Sequence, residues 1–146
     1  MRILGLDPGE KRIGVAISDP LGITAQGMEV ISYTEPEQAL RRLSEICNDY
    51  SVEKIVVGNP LNMSGSRGSA SELAEKFADT LSSRTGCQVE MLDERLTSGS
   101  AEKTLIAGGV SRKKRRKVKD KLAAVLILEQ YLALSESRKN RGVNND

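Results

Sequence analysis

The opening segment, residues 1–18, constrains the fold of this chain more than any other segment. Residues 2–7 form a short apolar run, which is typical of a buried strand. Turn-forming residues at 8–11 interrupt this run, and residues 12–18 resume it. Two apolar runs that are separated by a tight turn predict a β-hairpin. The rest of the chain then has to pack against two antiparallel strands.

The remaining segments alternate between strand and helix patterns. The predicted strands lie at about 26–32, at 54–57 and at 88–92, and the predicted helices at 35–49, 69–85, 99–107 and about 118–135. The order β-β-β-α-β-α-β-α-α implies one mixed α/β sheet with helices on its faces. The length of 146 residues fits a single domain over residues 1–136, followed by a disordered polar tail over residues 137–146.

Composition excludes several kinds of catalytic chemistry. The chain contains no His, which excludes Ser-His-Asp and Cys-His hydrolysis and any metal site that needs imidazole. Two Cys cannot form a four-cysteine metal site, and we expect Cys47 and Cys87 to be reduced, buried thiols. One Phe, three Tyr and no Trp disfavour nucleic-acid binding by base stacking. Carboxylates, Lys and a bound metal remain for catalysis.

Charge is distributed unevenly along the chain. The net charge of +2 combines a balance of −5 over residues 1–110 with one of +7 over residues 111–146. A basic segment on an acidic body indicates a polyanionic partner, because Lys and Arg clusters gain affinity by neutralising phosphates. We expect residues 112–117 to form a loop that binds phosphates. Two alternatives would also explain the cluster of basic residues: a solvated loop that has no partner, or a targeting signal. The residues of this cluster are Arg112, Lys113, Lys114, Arg115, Arg116 and Lys117.

The sequence indicates neither a targeting segment nor a membrane span. Asp7 breaks the apolar start of the chain, and the longest apolar run covers only residues 122–128. A membrane-spanning helix needs roughly 20 apolar residues. We therefore expect a cytoplasmic protein with no membrane partner.

Three acidic residues stand where carboxylates are costly unless a cation accompanies them. Asp7 ends the first apolar strand, Glu94 follows the last predicted strand, and Asp120 opens the last helix. The carboxyl ends of strands converge on the functional edge of an α/β sheet, so these acids could meet there. An all-oxygen site suits Mg²⁺, and paired cations stabilise the attacking water and the leaving oxygen in phosphodiester hydrolysis.

Each acid also has a simpler explanation on its own. Asp7 fits a turn residue, Glu94 fits an exposed loop position, and Asp120 complements a helix dipole. Only their combination with a basic segment, in a chain without His, favours a nuclease. Similarly, the loop over residues 58–65 either presents backbone N–H groups and the Asn62 amide to a phosphate or simply connects two elements.

Four motifs follow one another along the chain. They are Asp7-x-Gly9-x-x-x-Ile13-Gly14-Val15-Ala16, Gly58-x-Pro60-Leu61-Asn62-Met63-x-Gly65, Asp93-Glu94-Arg95-Leu96-Thr97-Ser98, and Asp120-x-x-Ala123-Ala124-x-x-x-Leu128 with Tyr131-Leu132. Together they resemble the YqgF-type, Holliday-junction-resolvase-like family, which is described as pre-16S rRNA nucleases. The resemblance extends to about residue 134. Two positions depart from the pattern: Asn59 replaces an apolar residue, and Ser64 stands where Asp is common.

The resemblance implies an RNase H-like fold with five strands, the first three antiparallel, and helices on both faces. It implies a hydrolase of ester bonds, a nuclease whose Mg²⁺ or Mn²⁺ is held by Asp7, Glu94 and Asp120. Its expected role is in ribosome biogenesis, where it would process the 5′ end of pre-16S rRNA. The residues predicted to bind nucleic acid are Lys11, Arg12, Asn62, Arg95 and the six basic residues at 112–117.

Other functions remain open at this point. The partner is structured RNA, with the small ribosomal subunit as a further candidate, or it is branched DNA such as a Holliday junction. A binding protein of ribosome assembly without activity is another alternative. An ATP-binding module of the actin or hexokinase type needs two such domains, and 146 residues accommodate one. We expect a monomer or a weak homodimer, and endonuclease and exonuclease modes are equally compatible with the sequence.

Overall fold

The computed structural model describes residues 1–59, 68–93 and 112–144, with side chains over 118–136 in the last range. Its strands are β1 (Arg2–Pro8), β2 (Arg12–Ser18), β3 (Ala25–Ser32), β4 (Val52–Asn59) and β5 (Gln88–Asp93). Its helices are α1 (Pro36–Asp49), α2 (Ser69–Thr85) and α3 (Arg112–Asn144). The helix predicted over 99–107 lies outside the described residues.

The strands form one sheet in the order β3-β2-β1-β4-β5. β2 is antiparallel to β1 and to β3, whereas β4 is parallel to β1 and to β5. The prediction of a mixed five-stranded sheet whose first three strands are antiparallel is confirmed. The predicted strand limits lie within two residues of the observed ones.

Helices cover both faces of the sheet, as predicted. Because successive residues of a strand point to opposite faces, each strand contributes to two apolar clusters. The cluster beneath α1 and α2 includes Leu4, Leu6, Ile13, Val15, Ile17, Ile55 and Val57 from the strands and Leu43, Ile46 and Leu81 from the helices. The cluster beneath α3 includes Ile3, Ala16 and Val56 from the strands and Ala124, Ile127, Leu128 and Tyr131 from the helix. The sheet is therefore the central layer of three.

Local sequence explains how the first two helices begin and end. α1 begins with Pro36, whose fixed φ suits the first turn, and the N–H of Glu35 donates to Gln38 Oε1 at 3.1 Å. α2 ends at Thr85 and is capped by Gly86, which adopts a φ of 74°. Glycine reaches this left-handed conformation without the steric cost that a side chain would add.

The last helix is longer than the sequence predicted. It begins at Arg112, so the basic residues 112–117 lie in the first turns of α3, and the prediction of a basic loop was wrong. Lys and Arg are good helix formers, and the buried part of the helix downstream stabilises these turns despite their repulsion. The helix continues to Asn144, into the segment predicted as a disordered tail. The division into a domain over 1–136 and a tail over 137–146 stays a prediction.

Both cysteines are free and buried, as expected. Burial, followed by the neighbouring Cys87 thiol, raises the pKa of Cys47 to about 12. The Cys47 thiol is therefore protonated at neutral pH and behaves as a small apolar side chain. In the described part of the chain, no helix is both long enough and apolar enough to cross a membrane.

Candidate active site

The carboxyl ends of the three parallel strands lie at one edge of the sheet. Asp7 is the penultimate residue of β1, Asn59 is the last residue of β4, and Asp93 is the last residue of β5. Arg12 lies at the same edge, because it opens β2, which runs antiparallel to β1. Four polar residues therefore lie at this edge of the sheet.

Gly14 brings the first and last motifs of the chain together. Asp7 is paired with Gly14 across β1 and β2, and residues that are paired in this way present their side chains to the same face. A Cβ atom built on Gly14 would lie 1.9 Å from the backbone carbonyl oxygen of Asp120. Only a glycine therefore lets α3 approach β2 so closely. Asp120 consequently lies on the face of the sheet that Asp7 also occupies.

Asp7 and Asp120 line one open pocket of about 440 Å³. Its other lining residues are Gly9, Glu10, Lys11 and Arg12, which form the turn between β1 and β2 and the start of β2. The structure thus brings together two of the three predicted acids and two of the predicted nucleic-acid contacts. Glu10 is an additional acid at this site that the sequence did not single out.

Arg12 forms an ion pair with Asp120. Its Nε donates to Asp120 Oδ2 at 2.7 Å, and the two side chains are 33% and 20% exposed, respectively. Water therefore reaches the pair but does not surround it. The sequence carried no signal for this contact, because 107 residues separate the two positions and no local pattern links them. The role of Arg12 in binding nucleic acid stays a prediction.

Tyr33 supports the turn that forms one wall of the pocket. Its hydroxyl donates to the carbonyl oxygen of Gly9 at 2.6 Å, and its backbone N–H donates to the carbonyl oxygen of Lys11 at 3.0 Å. Burial and then the negative charge of Glu10 raise the pKa of Tyr33. The hydroxyl therefore stays protonated and available as a donor. Tyr33 lies just after β3, and sequence analysis did not identify it.

Asn59 connects the end of β4 to the first turn of α2. The hydroxyl of Ser71, which is fully buried, donates to Asn59 Oδ1 at 2.6 Å. A buried hydroxyl is costly without a partner, and the Asn59 side chain supplies that partner. The departure of Asn59 from the second motif therefore has a structural role: its side chain links the end of β4 to the first turn of α2.

Several predicted site residues lie outside the described part of the structure. These are Glu94, Asn62 and Arg95, together with the side chains of Arg112, Lys113, Lys114, Arg115, Arg116 and Lys117. Among the side chains that the structure describes, no three or more acidic or Cys residues form a metal-binding group. Asp7 and Asp120 nevertheless fit a hard divalent cation, because Mg²⁺ is commonly bound through one or two carboxylates with waters completing its shell.

The sequence as a whole matches a known family. Residues 1–134 match the family model of RuvX, which is described as Holliday junction resolvase. The chain belongs to this family. It is 53% identical over 134 residues to a protein of Listeria innocua and to one of Bacillus subtilis, covering 90% of this chain and 97% of each relative. A Pelotomaculum thermopropionicum relative is 51% identical, with coverage of 97% and 92%. All three are named "Putative pre-16S rRNA nuclease".

Solved structures confirm the predicted fold. RuvC of T. thermophilus in complex with a Holliday junction substrate has a TM-score of 0.59 at 16% identity, with 93% of this chain and 96% of that chain covered. A fowlpox virus resolvase with Holliday junction DNA has a TM-score of 0.58 at 13% identity, with coverage of 91% and 97%. At such identities the similarity establishes the fold alone. The chain therefore has the RNase H-like fold of these resolvases.

Proposed function

We propose that this protein is a divalent-metal-dependent nuclease that hydrolyses phosphodiester bonds in structured RNA. The observation that carries the proposal is the placement of Asp120 beside Asp7. Gly14 permits this placement, and both acids line one pocket with two basic residues, Lys11 and Arg12. In a chain without His, carboxylates with a bound cation can carry out this reaction, and the pocket supplies the carboxylates.

Asp7 and Asp120 are the described residues that would hold Mg²⁺ or Mn²⁺. We propose Glu94 as a third ligand, because it directly follows β5. A bound cation supplies an acidified water and stabilises the charge that develops on the phosphate. The carboxylates of Asp7 and Asp120 would hold this cation.

The basic residues around the pocket would bind the phosphate backbone. Lys11 and Arg12 line the pocket, and the basic turns of α3 directly precede Asp120 on the same helix. Lys and Arg at these positions neutralise phosphates without reading sequence. Asn62 and Arg95 are further proposed contacts. Together these residues would position the backbone of a structured nucleic acid across the carboxylates.

The relatives favour RNA as the substrate. Proteins that share about half of their residues with this chain carry the name "Putative pre-16S rRNA nuclease", whereas the solved complexes with Holliday junctions share only the fold. We therefore propose processing of the 5′ end of pre-16S rRNA in the cytoplasm, with the small ribosomal subunit as a partner. Cleavage of branched DNA is the alternative, since a basic surface binds phosphates of either nucleic acid.

Cleavage assays on matched substrates test this proposal. Purified protein is incubated with a 5′-extended 16S rRNA fragment and with a four-way DNA junction, in Mg²⁺, in Mn²⁺ and in a chelator. We expect metal-dependent cleavage of the RNA. Asp7→Asn should abolish nearly all activity while keeping or raising the melting temperature, because it relieves repulsion between carboxylates.

Asp79→Asn is the matched control for Asp7→Asn. Asp79 is exposed on α2, in the layer on the other side of the sheet, so its replacement should leave cleavage unchanged. Full activity of Asp7→Asn would refute the metal site. Cleavage of the junction in place of the RNA would favour the resolvase alternative.

A further inference from the structure

The ion pair between Arg12 and Asp120 joins two residues whose backbones are both fixed. Arg12 is the first residue of β2 and is paired with Ser32 of β3. Asp120 is held by the contact of its carbonyl group with Gly14. Neither backbone can move without disturbing the sheet or the helix above it. The two side chains, which are 33% and 20% exposed, are therefore the parts of this contact that can rearrange.

Arg12 occupies the carboxylate that a divalent cation would also use. The guanidinium Nε lies 2.7 Å from Asp120 Oδ2, within the range of charge-assisted hydrogen bonds. A cation that bound through Asp7 and Asp120 would place a second positive charge against the same carboxylate. The guanidinium and the cation would repel each other when both contact the same carboxylate, so the two positive groups compete for Asp120.

Arg12 has a second anion to bind once it leaves Asp120. It lines the same pocket as Asp7 and Lys11, so a phosphate that reached the carboxylates would pass beside it. The planar guanidinium matches the oxygens of a phosphate as well as it matches a carboxylate. The exposed part of the Arg12 side chain allows this change by rotation, without a change in the backbone.

We propose that Arg12 exchanges partners during the reaction cycle: it pairs with Asp120 until a divalent cation takes this carboxylate, and it then binds a phosphate oxygen of the nucleic acid. The inference rests on the proposed function. In this scheme Arg12 acts on the cation through Asp120 and contacts the substrate directly only after the exchange. The exchange makes cation binding and nucleic-acid binding mutually favourable, since the cation releases the side chain that the phosphate needs.

Binding of Mn²⁺ without nucleic acid gives the first test. Isothermal titration calorimetry compares the wild type with Arg12→Gln, which removes the competing charge. We expect Mn²⁺ affinity to rise roughly 2- to 5-fold, the size that a partly exposed ion pair contributes. Arg12→Lys should fall between the two, because it keeps the charge but loses the planar fork. An unchanged or lower affinity in Arg12→Gln would overturn the proposal.

Two further variants separate direct competition from a general effect of charge. Lys11→Gln removes a positive charge from the neighbouring position in the same pocket, and it should change Mn²⁺ affinity less than Arg12→Gln. In an Asp120→Asn background, Arg12→Gln should have no further effect, because the shared carboxylate is gone. If Asp120→Asn itself bound Mn²⁺ as the wild type does, the metal site of the proposed function would be wrong.

Binding of RNA gives the second test. Fluorescence anisotropy measures RNA affinity in a chelator and in Ca²⁺, which has the oxygen-ligand chemistry of Mg²⁺ but a different coordination geometry and so limits cleavage during the measurement. Arg12→Gln should weaken RNA binding more in Ca²⁺ than in the chelator, because only the cation releases Arg12 in the wild type. Equal losses under both conditions would overturn the exchange and leave Arg12 as a simple phosphate contact.

Discussion

The face of the sheet beneath α1 and α2 is lined by large aliphatic side chains, whereas the face beneath α3 carries Gly5, Gly14 and Ala16 along the same two strands. On the first face, β1 and β2 contribute residues such as Leu4 and Val15, which are fully buried. On the second face, the glycines lie against the backbone or the Cβ atoms of α3. One face therefore fills space between the layers, and the other lets the layers approach each other.

The two faces of the sheet contribute differently: one mainly to stability, the other to the position of Asp120. Burial of apolar surface stabilises a fold by about 25 cal/mol per Å², so the aliphatic face supplies more of this stabilisation. A glycine in a strand contributes no side chain to the core, but it permits another backbone to approach closely. Here that approach positions Asp120 beside Asp7. Mutations on the two faces should accordingly separate stability from function.

The largest loss of stability is expected on the aliphatic face. Leu43 of α1 is fully buried in the cluster beneath α1 and α2. Leu43→Ala should lower the free energy of unfolding by about 2–5 kcal/mol, through lost burial and the cavity that remains. Urea denaturation measures this loss. Mn²⁺ affinity, measured where the variant is folded, should stay at the wild-type value.

Leu73→Ala is the matched control for Leu43→Ala. Leu73 lies on α2 but is 62% exposed, so its truncation should change the free energy of unfolding by less than about 0.5 kcal/mol. If Leu43→Ala abolished Mn²⁺ binding in the folded state, the two faces would not be separable, and the comparison between them would fail.

The sequence predicted the sheet better than the way α3 packs on it. Short apolar runs are direct signals of buried strands, and they located β1, β2, β4 and β5. Gly14 was interpreted as part of such a run, although an isolated glycine in a strand is itself a signal of close approach. That signal could have indicated where a helix crosses the sheet, but not which helix.

Periodicity also failed where neighbouring residues compete for the same face. In the helix predicted over 69–85, helical spacing places Leu73 on one apolar stripe with Phe77, Ala78 and Leu81. The structure instead leaves Leu73 exposed and buries the smaller Ala74. The width of the gap between α2 and the sheet determines which of the two residues is buried, and a sequence pattern carries no information about that width. For the candidate site, the sequence predicted that Asp7 and Asp120 could meet at one edge of the sheet. It carried no signal for the pairing of Asp120 with Arg12, because the two residues lie more than a hundred positions apart.

An intermediate loss of stability, with a loss of function, is expected on the glycine face. In Gly14→Ala the new Cβ would lie 1.9 Å from the Asp120 carbonyl oxygen, which belongs to the backbone and cannot rotate away. We expect a loss of about 1–3 kcal/mol in the free energy of unfolding, typical of overpacking. We also expect Mn²⁺ binding to weaken, because α3 must shift and carry Asp120 away from Asp7.

Gly27→Ala provides the control on the same face. Its new Cβ would lie 2.7 Å from Cδ and 2.8 Å from Cγ of Lys121, which are atoms of a flexible side chain that can move aside. Stability should change by less than about 1 kcal/mol, and Mn²⁺ affinity should be retained. Equal effects of the two variants on Mn²⁺ affinity would show that Gly14 has no special part in placing Asp120.

The smallest effect on stability is expected from the basic turns of α3. Replacement of Lys113, Lys114, Arg115 and Arg116 by Ala leaves good helix formers in place, so the free energy of unfolding should change by less than about 0.5 kcal/mol. Binding of RNA should weaken across all sequences. The slope of log K against log salt should flatten by about 0.7 for each single-strand phosphate that the variant no longer neutralises, or by about 0.9 on duplex.

The basic residues near the other end of α3 provide the control for this last prediction. Arg138, Lys139 and Arg141 lie on the same helix, about 36 Å from the first basic turns at a rise of 1.5 Å per residue. Their replacement by Ala should leave the salt slope unchanged, if the substrate lies at the end of α3 that carries Asp120. An unchanged slope after the substitutions at 113–116 would mean that these turns do not bind the substrate. The positive charge of residues 112–117 would then bind a protein partner. The phosphates of the substrate would have to be bound by Lys11 and Arg12 at the pocket.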